Sequence, residues 1–158
     1  ALGIRKRRWN RQSGWSAIGL SCQNRICFVI NDFAPQGLAT VAWGFATLKH
    51  RAPLLFDAIA KAAQVRINEF NPQSLSNVTW AFATLNHRTP SLFDAIARAA
   101  PVCIGNFNPQ NFFNTAWAFA TQKHEAPLLF DAIATAAPGR IGDFNPQALS
   151  NTAWAFAT

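Results

Sequence analysis

The sequence repeats itself with a period of 37 residues, and this period constrains the fold more than any other feature. The segment FNPQSLSNVTWAFAT at 70–84 returns at 107–121 and 144–158, and a more divergent copy occupies 33–47. Seven columns of the segment are identical in all four copies. Periods in this range are typical of stacked helical hairpins, because one hairpin cannot bury both of its faces alone. We therefore predict an all-α fold, an α-solenoid of 37-residue hairpin repeats.

Each repeat divides into two predicted helices, helix A and helix B, and each of them begins at a proline. Asn71 precedes Pro72, so its backbone is extended and its side chain is suited to cap a helix A over residues 72–86. Further prolines, Pro101 and Pro138, occur late in two of the B helices. We expect those two helices to end early or to bend there.

The positive charge of the chain is concentrated at one end. The net charge is +7, but residues 1–31 hold six basic residues and no acid, whereas residues 32–158 hold eight basic and seven acidic residues. We interpret residues 1–31 as a basic tail, either transit-like or a degenerate repeat, and residues 32–158 as about three and a half repeats. RNA binding by the repeats cannot be argued from bulk charge. No apolar run is long enough to cross a membrane.

Two columns place one titratable residue in each repeat: His50, His87 and His124 at the end of helix A, and Asp57, Asp94 and Asp131 in helix B. Equivalent residues of stacked repeats lie about a helix diameter apart, roughly 10 Å, which is too far to share one metal ion. We interpret the histidines as polar caps of helix A, and the aspartates as i,i+4 partners of basic residues, as in Asp57 and Lys61. No catalytic motif, cofactor-binding motif or metal-ligand spacing is present, so the sequence predicts no enzyme.

A polar stripe runs along the side of helix A that faces away from the predicted core. Gln, Asn, Trp and Thr recur in it at spacings that align at 100° per residue. An amide suits the reading of a base edge, and an indole suits stacking on a base. The stripe supplies these candidates for RNA binding: Gln73, Asn77, Gln110, Asn114, Gln147 and Asn151.

Two columns beside the stripe differ between repeats. A side chain that reads sequence is expected to differ, because each repeat meets a different base. These columns contain Ser74 and Asn111 in the first and Ser76 in the second. We expect these three residues to carry specificity, with Gln73 and Asn77 as shared contacts.

The invariant tryptophans of the stripe have two interpretations. They either stack on bases or wedge between neighbouring hairpins, and their invariance favours the wedge. The second interpretation makes them part of a structural repeat core together with two phenylalanines: Trp43, Trp80, Trp117, Trp154, Phe82 and Phe119.

Basic residues recur at the turn between helix A and helix B: Lys49, Arg51, Arg88 and Lys123. They form either a row of phosphate contacts or ordinary solvated turn charges. The row is interrupted by Asn86 and Glu125. Binding through so few charges is expected to be weak and sensitive to salt.

The repeat resembles those of organelle RNA-metabolism proteins. The segment NPQSLSNVTWAFATLNHRTPSLFDAIA is similar to octotricopeptide and heptatricopeptide repeats and to the RAP-domain, Fas-activated serine/threonine kinase-like family. It is especially similar to repeats of RNA-editing substrate-binding complex subunit 6-like proteins. The resemblance covers about residues 31–158, and its most specific part is the motif at residues 77–83. It implies an α-solenoid that binds RNA in mitochondria or plastids.

Two functions are therefore expected. The first is binding of single-stranded RNA, an organellar transcript or rRNA, in RNA processing, editing, stability or translation, with other proteins of an RNA-processing complex as possible partners. The expected location is the mitochondrial matrix or the plastid stroma. The alternative is a protein-interaction scaffold that holds an extended peptide on its concave face. The nearly neutral charge of the repeats keeps this alternative open.

Overall fold

The computed structural model describes residues 29–157, and over these residues the chain is all-helical, as predicted. Residues 29–31 are helical, and seven α-helices follow: α1 (Pro35–Thr47), α2 (Pro53–Val65), α3 (Pro72–Thr84), α4 (Pro90–Cys103), α5 (Pro109–Gln122), α6 (Pro127–Ala136) and α7 (Pro146–Ala157). Short 3-10 helices precede α3, α5 and α7: Ile67–Glu69, Ile104–Asn106 and Pro138–Asp143. The odd-numbered helices are the predicted A helices, and the even-numbered ones are the B helices. The predicted basic tail lies almost wholly outside the described residues.

The helices stack in two layers. Helix α1 packs against α3, α3 against α5, and α5 against α7, so the odd-numbered helices form one layer. The even-numbered helices form the second layer, with α2 against α4 and α4 against α6. Contacts between the two helices of one hairpin are fewer than contacts between successive odd-numbered helices. The first layer is therefore the backbone of the described fold.

The buried core contains both small alanine and large phenylalanine side chains. Ala42, Ala81 and Ala116 on the odd-numbered helices are completely buried, and such small side chains allow helix axes to approach closely. Phe82 and Phe119 are also completely buried. Burying an aromatic side chain contributes roughly 1.5–3 kcal/mol, so these rings are major sources of stability.

Helix starts follow the predicted pattern. All seven α-helices begin at a proline. The Asn71 side chain accepts a hydrogen bond of 2.8 Å from the Ser74 backbone N–H, as expected of an N-cap. At α5 the cap is a full capping box formed by Asn108 and Asn111. Ala34, at the same position before α1, provides no side-chain cap.

The ends of the A helices share one backbone conformation. Helix α3 ends at Thr84, earlier than the predicted residue 86, because Asn86 adopts a left-handed φ of 51°. Lys49 and Lys123 have the same φ at the equivalent positions. The His87 N–H then donates to the Phe82 carbonyl at 2.9 Å, which closes the helix as a Schellman motif. Glycine or asparagine is the usual residue at such a position, so the two lysines are held in an unfavourable conformation.

The two late prolines of the B helices behave differently. Helix α4 continues through Pro101 to Cys103, so it does not end early at this proline, and a bend there stays a prediction. A proline in the last turn removes only one backbone hydrogen bond, and the tightly packed Ala99 and Ala100 hold the preceding turn in place. Helix α6 ends at Ala136, two residues before Pro138, as predicted.

The missing cap of α1 gives a first prediction. Ala34 already has the extended backbone of an N-cap, with φ −61° and ψ 154°, close to the −74° and 164° of Asn71. Ala34→Asn should raise the free energy of unfolding by about 1 kcal/mol, because it supplies an acceptor for the first turn of α1. Urea denaturation followed by circular dichroism measures the change. The reciprocal control, Asn71→Ala, should lower the free energy of unfolding by a similar amount. A fall in stability for Ala34→Asn would contradict the assignment of this position as an N-cap.

A buried hydroxyl in α5 gives a second prediction. Thr115 is 1% exposed and its Oγ1 has no hydrogen-bond partner in the described structure, whereas the equivalent residue of α3 is the fully buried Val78. Thr115→Val should raise the free energy of unfolding by about 1 kcal/mol, because it removes an unsatisfied polar group at nearly constant volume. The matched control is Thr79→Val. Thr79 Oγ1 donates to the Leu75 carbonyl at 2.6 Å, so its replacement should not stabilise. Equal stabilisation by both changes would rule out the proposed cause.

Candidate nucleic-acid interface

The invariant glutamine of the stripe is exposed in every copy. Gln36, Gln73, Gln110 and Gln147 each lie in the first turn of an odd-numbered helix with the side chain at the surface. Because successive odd-numbered helices pack side by side, these amides form a row across the first layer. Neighbouring helix axes are about 8–10 Å apart, which sets the spacing of the row.

The asparagine of the stripe is less accessible than the glutamine. Asn77 is half-buried, and Asn114 is only 6% exposed. The Gln110 amide Nε2 donates to Asn114 Oδ1 at 3.2 Å, so the two amides of α5 act as a connected pair. In this arrangement the asparagine orients the exposed glutamine. The side chain of Asn151 lies outside what the structure describes.

The tryptophan column lies at the surface rather than inside the core. Trp43 is 47% exposed and Trp154 is 49% exposed, so neither side chain is buried in the described structure. Trp80 and Trp117 are half-buried and pack against the core. Trp80 and Trp117 lie on helices with a described odd-numbered helix on both sides. Trp43 and Trp154 lie on α1 and α7, which have a described odd-numbered helix on one side. Neighbouring hairpins therefore cover part of each indole and leave part of it accessible.

The three residues expected to carry specificity do not lie on the exposed face. Ser74, Ser76 and Asn111 are 3%, 0% and 4% exposed. The Asn111 amide Nδ2 donates to Ser76 Oγ at 2.8 Å, and this hydrogen bond joins α5 to α3. Ser76 and Asn111 therefore hold adjacent hairpins together, and their burial leaves them little surface for contact with a ligand. Periodicity alone could not reveal this, because the columns lie at the edge between the exposed face and the helix contact.

The basic residues do lie at the surface. Lys49, Arg51, Arg88 and Lys123 are all exposed at the turns between the two layers. The left-handed backbone of Lys49 and Lys123 fixes the direction in which each side chain leaves the turn. Glu125 is also exposed near the last of these turns, so the positive row ends there.

The histidine column joins successive hairpins through aspartate. His87 Nε2 lies 2.9 Å from Asp57 Oδ1, and His124 Nε2 lies 2.9 Å from Asp94 Oδ1. Each aspartate therefore contacts the next hairpin, rather than a basic residue one turn along its own helix as predicted. The partners are 30 residues apart in sequence, and only the shared period of the two columns could have suggested the pair.

Each of these histidines also contacts two phenylalanines. The His87 ring centroid lies 5.7 Å from that of Phe56 and 5.6 Å from that of Phe82, which are themselves 4.8 Å apart. The next hairpin repeats this cluster with Phe93, Phe119 and His124. Each histidine thus links a B helix to the following A helix through both a polar contact with aspartate and ring contacts with phenylalanine. The sequence had indicated only a polar cap of helix A.

Other kinds of site are not found in the described part of the chain. Among residues 29–157, no three His, Cys, Asp or Glu side chains come together in a way that suits a metal ion. None of the helices described there is both long and apolar enough to span a bilayer. Burial raises the pKa of the Cys103 thiol, so this cysteine is poorly disposed to react as a thiolate.

The fold and the surface define the class: an all-α protein of stacked helical hairpins with a repeated amide and indole face. The chain belongs to the family of RNA-editing substrate-binding complex 6 proteins, whose sequence model matches residues 7–157. This match confirms the part of the sequence resemblance that concerns RNA editing. No curated protein sequence matches the chain.

The link between hairpins gives a third prediction. A double-mutant cycle of Asp94→Asn and His124→Gln should give a coupling free energy of about 0.2–1 kcal/mol, the range of partly exposed pairs. Thermal or urea unfolding of the four proteins provides the measurement. The control cycle pairs Asp94→Asn with Arg98→Gln, and its coupling should be near zero. A larger coupling to Arg98 than to His124 would show that the pair within the helix dominates in solution.

Proposed function

We propose that the described hairpins are part of an α-solenoid of 37-residue repeats that binds single-stranded RNA within an RNA-editing complex. The observation that carries this proposal is the row of exposed glutamines beside partly exposed indoles, repeated on successive packed helices. Exposed amides can bond to base edges and phosphates, and accessible indoles can stack on bases of any identity. Membership of a family named for a complex that binds RNA-editing substrates supports the same function.

The candidate contacts divide into three groups. Gln73, Gln110 and Gln147 are proposed to touch RNA directly. Asn77 and Asn114 are proposed to orient them, as the hydrogen bond between Gln110 and Asn114 illustrates. The basic turn residues Lys49, Arg51, Arg88 and Lys123 are proposed to contact phosphates, which is in keeping with their exposure.

The proposal also covers the cellular location of the protein and its partners. RNA-editing complex proteins are mitochondrial, so we propose the mitochondrial matrix rather than the plastid stroma. Other subunits of the complex are the expected protein partners. A closer relation to octotricopeptide, heptatricopeptide and RAP-domain proteins is proposed from the repeat length and the helix A motif alone. We propose a binding role rather than an enzymatic one for this stretch of chain.

A protein-interaction scaffold is the second candidate function. The observation that favours it is charge, because residues 32–158 hold eight basic and seven acidic residues. RNA binding depends strongly on basic side chains that neutralise phosphates. Nearly equal numbers of basic and acidic residues leave little net positive charge for this purpose. A peptide partner would need no such excess of positive charge.

The fourth prediction tests the glutamine row. In fluorescence anisotropy with a random-sequence single-stranded RNA pool, Gln73→Ala/Gln110→Ala should raise Kd about three- to tenfold, because two amide contacts are lost. The matched control is Gln64→Ala, which truncates an exposed glutamine on α2, in the other layer. Its Kd should equal that of the unmodified protein.

Two outcomes would contradict the proposed function. Equal Kd values for the double variant and the Gln64→Ala control would remove the glutamine row as the site. Absence of RNA binding by the unmodified chain, together with capture of a protein subunit of the complex, would favour the scaffold.

A further inference from the structure

A small cleft recurs where the turn between helices A and B of one hairpin meets the same turn of the next hairpin. The first cleft, of about 200 Å³, is lined by Arg51, Pro53, Phe56, Leu85, Asn86 and His87, with Ala52 beside them. The second, of about 170 Å³, is lined by Arg88, Pro90, Phe93, Gln122, Lys123 and His124, with Thr89 beside them. Every residue of the second cleft lies 37 positions after its counterpart in the first. The stacking of the hairpins thus builds the same cleft twice.

The two clefts have the same walls but different chemistry. Arginine, proline, phenylalanine and histidine occupy equivalent places in both. Three places differ: Ala52, Leu85 and Asn86 in the first cleft are replaced by Thr89, Gln122 and Lys123 in the second. The second cleft therefore has a hydroxyl and an ammonium group that the first lacks, and it has an amide where the first has the apolar Leu85.

Two buried polar atoms of the second cleft have no partner in the described structure. Gln122 is only 8% exposed, and its amide Nε2 makes no hydrogen bond. Thr89 Oγ1 is buried and unpartnered as well. Leaving a buried donor unsatisfied is unfavourable, and a water, an ion or a ligand can satisfy such a group. Both donors are suited to a ligand rich in acceptor oxygens.

The charges around the second cleft favour an anion. Arg88 and Lys123 are exposed at its rim, and neither makes an ion pair in the described structure. Thr89, the N-cap residue of α4, and Pro90 line the cleft, so the positive end of the helix dipole lies next to it. Asp94 is paired with His124 at 2.9 Å and does not line the cleft. Lys123 also keeps an unfavourable φ of 51°, where the first cleft has the better suited Asn86.

We propose that the cleft of Arg88, Gln122 and Lys123 is a phosphate-binding site. The Gln122 amide and the Thr89 hydroxyl donate to phosphate oxygens, and the two cations at the rim balance the charge. A volume of 170 Å³ equals that of about five to six water molecules, which is enough for one phosphate group. The inference rests on the proposed function in one respect, since the source of the phosphate is taken to be the RNA backbone rather than free phosphate. The first cleft, with Leu85 in place of the amide, binds phosphate more weakly.

The two clefts supply matched variants for the fifth prediction. Gln122→Leu/Lys123→Asn gives the second cleft the residues of the first at two of the three places that differ, and both new residues are already tolerated at the equivalent positions. Leu85→Gln/Asn86→Lys makes the opposite exchange. Lys61→Asn removes an exposed lysine of α2 that lines neither cleft, and it controls for the loss of charge. Folding of each variant is checked by circular dichroism.

Two measurements on the full chain then separate the sources of phosphate. The first is the shift of Tm on titration with inorganic phosphate at constant ionic strength, which should be lost in Gln122→Leu/Lys123→Asn and enlarged in the opposite exchange. The second is RNA affinity at several salt concentrations. Gln122→Leu/Lys123→Asn should raise Kd about tenfold and lower the salt slope by roughly 0.7 for one lost phosphate contact. Lys61→Asn should change neither the Tm shift nor the RNA affinity.

Each outcome decides a different point. Loss of both responses, with Lys61→Asn unaffected, supports the site with RNA as its source. Loss of the Tm shift alone supports the phosphate site but overturns RNA as the source, and leaves the glutamine row to be judged by its own variants. If Gln122→Leu/Lys123→Asn matches Lys61→Asn in both measurements, the proposal is overturned, whether or not the glutamine row binds RNA.

Discussion

The close packing of each odd-numbered helix against the next is the contact on which the rest of the structure depends. It is the most extensive contact between elements of the described fold, and small buried residues such as Ala42, Ala81 and Ala116 allow it. Because this packing repeats with the sequence period, equivalent side chains line up across the layer. The glutamine row, the indole column and the paired clefts all follow from that alignment. Loss of the packing would separate these features even if every individual helix remained intact.

Polar contacts then fix how one hairpin sits on the next. The hydrogen bond between Asn111 and Ser76 joins two odd-numbered helices, and the pair of His124 and Asp94 joins an even-numbered helix to the following odd-numbered one. Within the first hairpin, Arg66 donates a hydrogen bond of 2.8 Å to the Phe33 carbonyl, which joins the end of α2 to the segment before α1. Its contact with Glu69 raises the pKa of the arginine and lowers that of the glutamate. The pair of histidine and aspartate occurs between two successive pairs of hairpins, so it contributes to a regular stacking register.

Sequence reasoning was most successful where local chemistry decides the outcome. Helix starts at proline, the Asn71 cap and the buried Phe82 follow from the sequence, because each depends on residues within one or two turns. Sequence reasoning did not predict the contacts between neighbouring hairpins. The burial of Ser76 and Asn111, the contact of Asp57 with the next hairpin and the clefts at the turns depend on residues 30 or more positions apart. A period reveals that such residues are equivalent, but it does not reveal which of them touch.

The central claim is that RNA lies across the layer of odd-numbered helices. Ultraviolet crosslinking of the full chain to single-stranded RNA, followed by mass spectrometry of the crosslinked peptides, tests it most directly. The account predicts crosslinks in peptides that contain Trp80 and Trp117, whose indoles are partly accessible beside the glutamine row. Crosslinks confined to α2, α4 and α6 would contradict it, because those helices form the opposite layer.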